Sequence, residues 1–180
     1  LTLSGGSTGT GHLVLKNNSA ITNGITLSGA KINHTGTITN SGTGAGDVLI
    51  NAVISNNVTR VVQNSATSRL TLSSANFYTG GTVINSGRLE LANTTGSGTG
   101  TGPVDILSGG ILQGTGSVSG TATNQNGGIL SPGLTDTAGG TLTLANLKWH
   151  GGGILHCKVA DITTGGAGAG IDYNRLIVSS

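Results

Sequence analysis

A short strand-like motif recurs along this chain of 180 residues, and its spacing constrains the fold more than any other feature. The motif is an apolar residue followed by Thr, Leu and then Ser or Ala. It occurs at Leu1–Ser4, Ile25–Ser28, Leu70–Ser73 and Leu142–Ala145. The copies are 24, 45 and about 71 residues apart, close to one, two and three periods of roughly 23 residues. A unit this short cannot bury its own apolar face, so it must stack on copies of itself.

The composition excludes several other classes of protein. Gly alone fills 34 positions, and Gly, Thr, Ser and Asn together fill 95. A net charge of +2 is too small for charge-driven disorder, and two prolines without a three-residue glycine period exclude collagen. Glycine, Thr, Ser and Asn weaken or compete with helical backbone. Leu, Ile and Val make up 44 residues, enough to form a core, so an all-β domain is predicted.

Short segments of alternating apolar residues, bounded by Gly, Asn and Ser, mark the strands. Examples are Gly11–Lys16, Asp47–Ser55, Arg88–Leu91 and Pro103–Leu107. A sandwich or barrel core is expected to be rich in aromatic residues, which make up only 2% of this chain. Glycine-rich corners between short strands favour a solenoid instead. We therefore predict a right-handed single-stranded parallel β-helix of about eight coils, roughly 40 Å long, as a single segment over 1–180. Stacked Thr and Asn side chains are expected to form hydrogen bonds from coil to coil.

The segment Leu70–Leu91, with the letters LTLSSANFYTGGTVINSGRLEL, resembles the autotransporter-associated β-strand repeat. Gly114–Gly120 and Gly127–Gly133 resemble coils that follow this repeat, and Asp172–Val178 is similar to a strand near the end of such modules. The resemblance covers about 68–180, whereas 1–67 share only its style. It implies an extracellular or cell-surface β-helix, a stalk or adhesive rod secreted through an outer-membrane barrel. The family repeat carries no catalytic residues.

Three potential metal ligands lie close together in the sequence, namely His150, His156 and Cys157. In a predicted strand Ile154–Val159, Cys157 would face the interior and His156 the solvent, so no metal site is predicted. A single cysteine also excludes a disulfide within the chain. Trp149 is expected to be a core plug or an end-coil packing residue, with a binding aromatic as the alternative.

Two glycine-rich segments resemble ligand-binding loops. Gly165–Asp172 is similar to a calcium-binding nonapeptide, but its Asp comes two residues late and the motif occurs once, so a flexible loop is predicted. Gly98–Gly102 is not followed by Gly-Lys-Ser/Thr, which argues against a phosphate loop. The six acidic residues are spread singly. Asp136 and Asp161 could stack one coil apart, but a solvated face explains them equally well. With no Gly-x-Ser-x-Gly motif either, we predict no enzyme and no catalytic, metal or cofactor site.

Charge and hydropathy limit the partners. The eight basic residues are scattered, which predicts no nucleic-acid binding, and no apolar stretch approaches the roughly 20 residues of a membrane span. Neither Leu1–Ser4 nor Leu176–Ser180 carries a polar or helical cap, as expected for an excised segment or a polymerising subunit. The predicted function is a non-enzymatic extracellular structural or adhesive rod on the bacterial surface, with a host or matrix glycan or protein surface as its target. The alternatives are a fibre subunit that self-associates end to end or by strand exchange, and, third, a polysaccharide-binding or polysaccharide-cleaving β-helix.

Overall fold

A computed structural model describes residues 1–134, 139–158 and 173–179, and in these residues the regular structure is entirely β. Every pair of neighbouring strands runs parallel, as expected when successive turns of one chain stack on each other. The strands are β1 (Thr2–Leu3), β2 (Leu13–Leu15), β3 (Ile25–Leu27), β4 (Gly36–Asn40), β5 (Val48–Ile50), β6 (Val58–Asn64), β7 (Leu70–Leu72), β8 (Thr82–Leu91), β9 (Val104–Ile106), β10 (Gly110–Gly114), β11 (Ser117–Asn124), β12 (Ile129–Pro132), β13 (Gly140–Trp149), β14 (Ile154–Leu155) and β15 (Asn174–Val178).

The strands form three faces around one core. The first face stacks β1, β3, β5, β7, the end of β8, β10, β12 and β14. The third face stacks β2, β4, β6, the start of β8, β9, and the ends of β11 and β13. Between them, the second face begins with single bridges that join Ser7 to Ile32 and Ile32 to Ile54. It continues through the starts of β11 and β13 to β15.

The fold prediction is confirmed as a parallel β-solenoid, with about 7 turns of ~23 residues. Along the first face, paired residues are 24, 23, 22, 19, 23, 18 and 25 positions apart, so the length of a turn varies around the predicted period. The eighth coil is represented in the described residues only by β14 and β15. Seven turns at a strand spacing of about 4.8 Å give a stack roughly 34 Å long.

The core is a set of apolar columns, each contributed by one position of successive turns. One column on the first face contains Val48, Leu70, Leu89, Leu112 and Leu130, all with 0% exposure. The alternation read from the sequence is confirmed in β2, where Leu15 is buried and Val14 is exposed. Each residue of this column is covered by the corresponding residues of the turns before and after it. Its burial therefore depends on the stacking of turns and not on contacts within its own turn.

Polar side chains also connect the turns, as the sequence predicted for Asn. The buried Asn40 amide donates to Gln63 Oε1 of the next turn at 2.9 Å and to the Ser68 carbonyl at 3.0 Å. Asn76 spans three turns, because its Oδ1 accepts from the Ile54 N–H at 2.8 Å and its Nδ2 donates to the Gly98 carbonyl at 2.7 Å. These bonds satisfy both polar atoms of the Asn76 amide and the nitrogen of the Asn40 amide, and they fix the register of the turns.

Gly87 makes the corner inside β8, where the chain leaves the third face and enters the first. Its φ is +69°, and a Cβ built there would overlap the Ser65 carbonyl oxygen of the preceding turn. Both the left-handed backbone and the close approach of two turns therefore require glycine.

We expect Gly87→Ala to destabilise the protein by at least about 1 kcal/mol more than Gly9→Ala. Gly9 is the matched control because its φ is also positive, +91°, but a Cβ added at Gly9 would have nothing within 4 Å. Urea unfolding of both variants measures the difference. Equal losses would show that backbone conformation alone, and not the contact between turns, requires glycine at position 87.

Candidate functional site

The suggested metal ligands lie on two faces of the solenoid and do not form a cluster, since His150 follows β13 on the third face and His156 and Cys157 follow β14 on the first. His150, His156 and Cys157 are all exposed, and no group of three metal-binding side chains occurs within 1–134, 139–158 and 173–179. The expectation that Cys157 faces the interior is wrong, because its strand is shorter than predicted. β14 ends at Leu155, and among the described residues it pairs with β12 only. Cys157 follows this short strand and is exposed.

Trp149 is not a core plug. It is the last residue of β13, its side chain is 45% exposed, and its register partner is Asn124 of the preceding turn. Its indole instead lies close to Gly153. The end-coil position predicted as the other possibility agrees with this placement, because the third face shows no further strand beyond β13 within the described residues.

Gly98–Gly102 is packed against the turn that precedes it. A Cβ at Gly100 would overlap the Tyr78 carbonyl oxygen, and one at Gly102 would collide with Gly81. The backbone of this loop therefore lies on protein rather than around an open cradle. The other segments singled out in the sequence, Gly165–Asp172 and the pair Asp136 and Asp161, lie outside the described residues.

A charged ladder on the outer side of the first face was not predicted from the sequence. Arg69 Nη2 lies 2.7 Å from Asp47 Oδ2, and Arg69 Nη1 lies 2.9 Å from Glu90 Oε2. Gln113 of the following turn donates to the same Glu90 oxygen at 2.8 Å. The Glu90 side chain is only 8% exposed, so Arg69 and Gln113 take the place of water around its carboxylate. The ladder links four successive turns, which is a structural role.

A serine–histidine pair joins the first two turns. Ser7 Oγ lies 2.9 Å from Nδ1 of the buried His34, whose Nε2 lies 3.4 Å from the Thr37 carbonyl oxygen. Among the described residues no carboxylate forms an ion pair with His34. Ser7 belongs to the preceding turn and Thr37 to the same turn as His34, so the Ser7 contact connects two turns as the asparagine contacts do.

Tyr78 is a buried aromatic residue with one polar partner. Its ring is fully buried, and its hydroxyl lies 2.7 Å from Thr82 Oγ1. Burial raises the pKa of the Tyr78 hydroxyl far above its ordinary value of 10.0, and the hydrogen bond with Thr82 opposes this only in part. Tyr78 is therefore a neutral core residue at physiological pH.

We expect Tyr78→Phe to change how stability depends on pH. The folded protein keeps the phenol proton above pH 10 whereas the unfolded chain loses it, so the stability of the wild type falls as pH rises beyond that value. The expected slope is about 1.4 kcal/mol per pH unit for this one group. Tyr78→Phe lacks this component and costs about 1 kcal/mol near pH 7 through the lost hydrogen bond. Unfolding curves between pH 7 and 11 compare the two proteins, and parallel pH profiles would contradict the buried-phenol account.

Among the depressions on the described surface, two differ clearly in the chemistry of their lining residues. The first-face groove, with a volume of about 470 Å³, is lined by Arg88, Ile111, Gln113, Ser131, Leu155, His156, Cys157 and Lys158. The N-terminal opening, about 540 Å³, lies at the first turn and is lined by Leu1, Leu3, Leu13, Val14, Leu15, Lys16, Ile25 and Leu27. The groove is lined by cationic and polar groups over an apolar floor, whereas the opening is almost entirely aliphatic.

Within the described residues, no helix is long and apolar enough to span a membrane.

Comparison with known proteins gives a match to a family model over one segment of the chain. Residues 67–91 match the family model described as the passenger-associated-transport-repeat. No curated protein and no solved structure gives a significant match to the chain. The matched segment includes Arg69, Asn76, Tyr78 and Gly87, whose contacts with neighbouring turns are described above. The repeat, set within a parallel β-solenoid, supports an autotransporter passenger with β-helix repeats.

Proposed function

We propose that this chain is a structural segment of a secreted or cell-surface passenger, a β-helix rod that carries or forms an adhesive stalk and performs no catalysis. The proposal rests on the contacts that the residues of the matched repeat make. Its polar residues, Arg69 and Asn76, bond to neighbouring turns, and its leucines fill the central columns. When the side chains of each turn contact the turns before and after it, every added turn lengthens the rod.

The chemistry of the described surface agrees with a structural role. Many of its buried polar side chains bond between turns, as the amides of Asn40 and Asn76 and the ion pairs of Arg69 do. Parallel strand pairing runs along the first and third faces through successive turns of the described residues, which connects these turns as one stack.

Surface exposure is tested on intact cells that produce the protein. An antibody against the purified chain and treatment with proteinase K measure accessibility, with a cytoplasmic protein as the control for lysis. We expect proteinase K to remove the epitope from intact cells, or the antibody to detect the protein in the medium. An epitope that is protected in intact cells, and degraded only after lysis, would overturn the surface location.

The N-terminal opening favours a second function, the end-to-end assembly of a fibre. Leu1 is 85% exposed and Leu3 39% exposed, and the β1 edge of the first face has no neighbour beyond it in the described residues. An unpaired strand edge next to exposed apolar side chains favours pairing with the end of another copy. This second function is proposed for the chain of residues 1–180.

Electron microscopy and light scattering over a concentration series distinguish the two functions. Filaments with a regular axial repeat would support the fibre and contradict the monomeric stalk, whereas discrete particles at every concentration would contradict the fibre. The double variant Leu3→Lys, Leu13→Lys should abolish filaments. Phe77→Lys is the matched control, since Phe77 is 61% exposed and lies away from both ends.

A further inference from the structure

The outer side of the first face carries two arginines on successive turns in very different surroundings. Arg69 and Arg88 immediately precede the paired residues Leu70 and Leu89, so they occupy equivalent rungs. Arg69 contacts both carboxylates of the ladder, Asp47 and Glu90. Within the described residues, Arg88 forms no ion pair.

The carboxylate closest to Arg88 in the sequence is already bound. It belongs to Glu90, which lies two residues along the same outer side of β8 and is held by Arg69 and Gln113. On one side of Arg88 is the cationic Arg69, and on the other Arg88 is paired in register with Ile111, an aliphatic residue. Adjacent strands lie about 4.8 Å apart, so two guanidinium groups are held on neighbouring rungs. Since both carboxylates of the ladder are bound to Arg69, the exposed Arg88 is available to an external anion.

The first-face groove adds further donors around Arg88. Ile111 and Leu155 give it apolar surface, Ser131 gives it a hydroxyl, and His156 adds an imidazole to its lining. None of the described residues that line it is acidic. Its volume of about 470 Å³ lies within the range of pockets that hold small ligands.

We propose that the first-face groove binds an acidic saccharide through the carboxylate of a uronic acid-type sugar. The planar guanidinium of Arg88 matches a carboxylate in bidentate geometry, which a single ammonium group does not. Ile111 and Leu155 offer aliphatic contact to the apolar C–H face of a sugar ring, and Ser131 pairs with its hydroxyls. The groove is too small for a folded protein partner but holds one or two sugar residues.

This proposal goes beyond the structural role and can fail independently of it, because a rod without the groove would still be exposed on the cell. The test uses the purified chain and trigalacturonic acid, with binding measured by calorimetry and by chemical-shift changes at Arg88 and Ile111. A neutral trisaccharide, maltotriose, and a sulfated disaccharide form the comparison arms. We expect the uronate to bind and the neutral sugar not to bind, with affinity falling as salt increases.

Arg88→Gln should weaken uronate binding by at least about tenfold, as expected for loss of a charge-assisted pair. Arg60→Gln is the matched control, since Arg60 is also exposed but lies on the third face in β6, and it should change binding less than about twofold. A folded Arg88→Gln variant with unchanged affinity would overturn the site. Equal binding of maltotriose would overturn recognition of the carboxylate, and preferential binding of the sulfated sugar would overturn the choice of a uronic acid.

Discussion

Leu89→Ala should lower the free energy of unfolding by about 4 kcal/mol, the largest effect that we predict for any substitution in this chain. Leu89 lies in the middle of the first-face column, with Leu70 on one side and Leu112 on the other, and all three side chains have 0% exposure. Truncation leaves a cavity bounded by strands of three successive turns. Because these strands are fixed by ladder hydrogen bonds, they cannot collapse freely into the space.

The matched control is Leu155→Ala in the same column. Leu155 pairs with Leu130 but is 42% exposed, so its truncation should cost less than about 1 kcal/mol. Urea unfolding monitored by circular dichroism measures both variants, and a lower slope for Leu89→Ala would indicate that the turns on either side separate. Equal losses at the two positions would contradict burial by stacking.

The sequence was sufficient to predict the solenoid because the same local pattern serves every turn. Alternation of Leu89 and Leu91 with polar neighbours identifies the buried side of a strand, and a period of roughly 23 residues identifies its counterparts one turn away. Both patterns recur in several turns, so a strand that is ambiguous in one turn can be placed from its counterparts in the others. The family match at 67–91 lies in the middle of the stack, where turns on both sides cover the apolar residues.

The errors concern residues at the end of a row. Cys157 and Trp149 have the alternation of core residues, but a column residue is buried only if another turn covers it. Burial in a solenoid therefore depends on where a residue lies along the stack. The alternation within one strand gives no information about that position. The exposure of Leu155 and the 0% exposure of Leu130, in one column, show the same effect.

The charged ladder could have been predicted from spacing, although it was not. Asp47, Arg69 and Glu90 are 22 and 21 residues apart, close to one turn each, and they alternate in charge. Within its own strand, Glu90 belongs to the outer side of β8 and is expected to be solvated. Only the neighbouring turns cover it, so its burial is a property of the stack. The first-face groove was not predicted for the same reason, because its walls come from turns far apart in sequence.

Arg69→Met should destabilise the protein by about 3 kcal/mol, because it leaves the carboxylate of Glu90 covered without its cation. The lower part of the usual range applies, since the Arg69 side chain is itself 29% exposed. Methionine preserves much of the aliphatic stem, so the loss reports charge rather than packing. Unfolding in urea at pH 7 gives the value.

A second substitution separates the charge from the shape of the site. Glu90→Gln added to Arg69→Met should restore most of the lost stability, to within about 1 kcal/mol of the wild type, because Gln113 can still bond to a neutral amide. Arg88→Met on the equivalent rung is the control and should cost less than about 0.5 kcal/mol, since it separates no ion pair in the described residues. If Arg69→Met and Arg88→Met have equal effects, or if Glu90→Gln gives no recovery, the ladder does not stabilise the stack through its charges. Recovery at Glu90 alone, with Asp47 still unpaired, would assign the stabilisation to the more deeply buried of the two carboxylates.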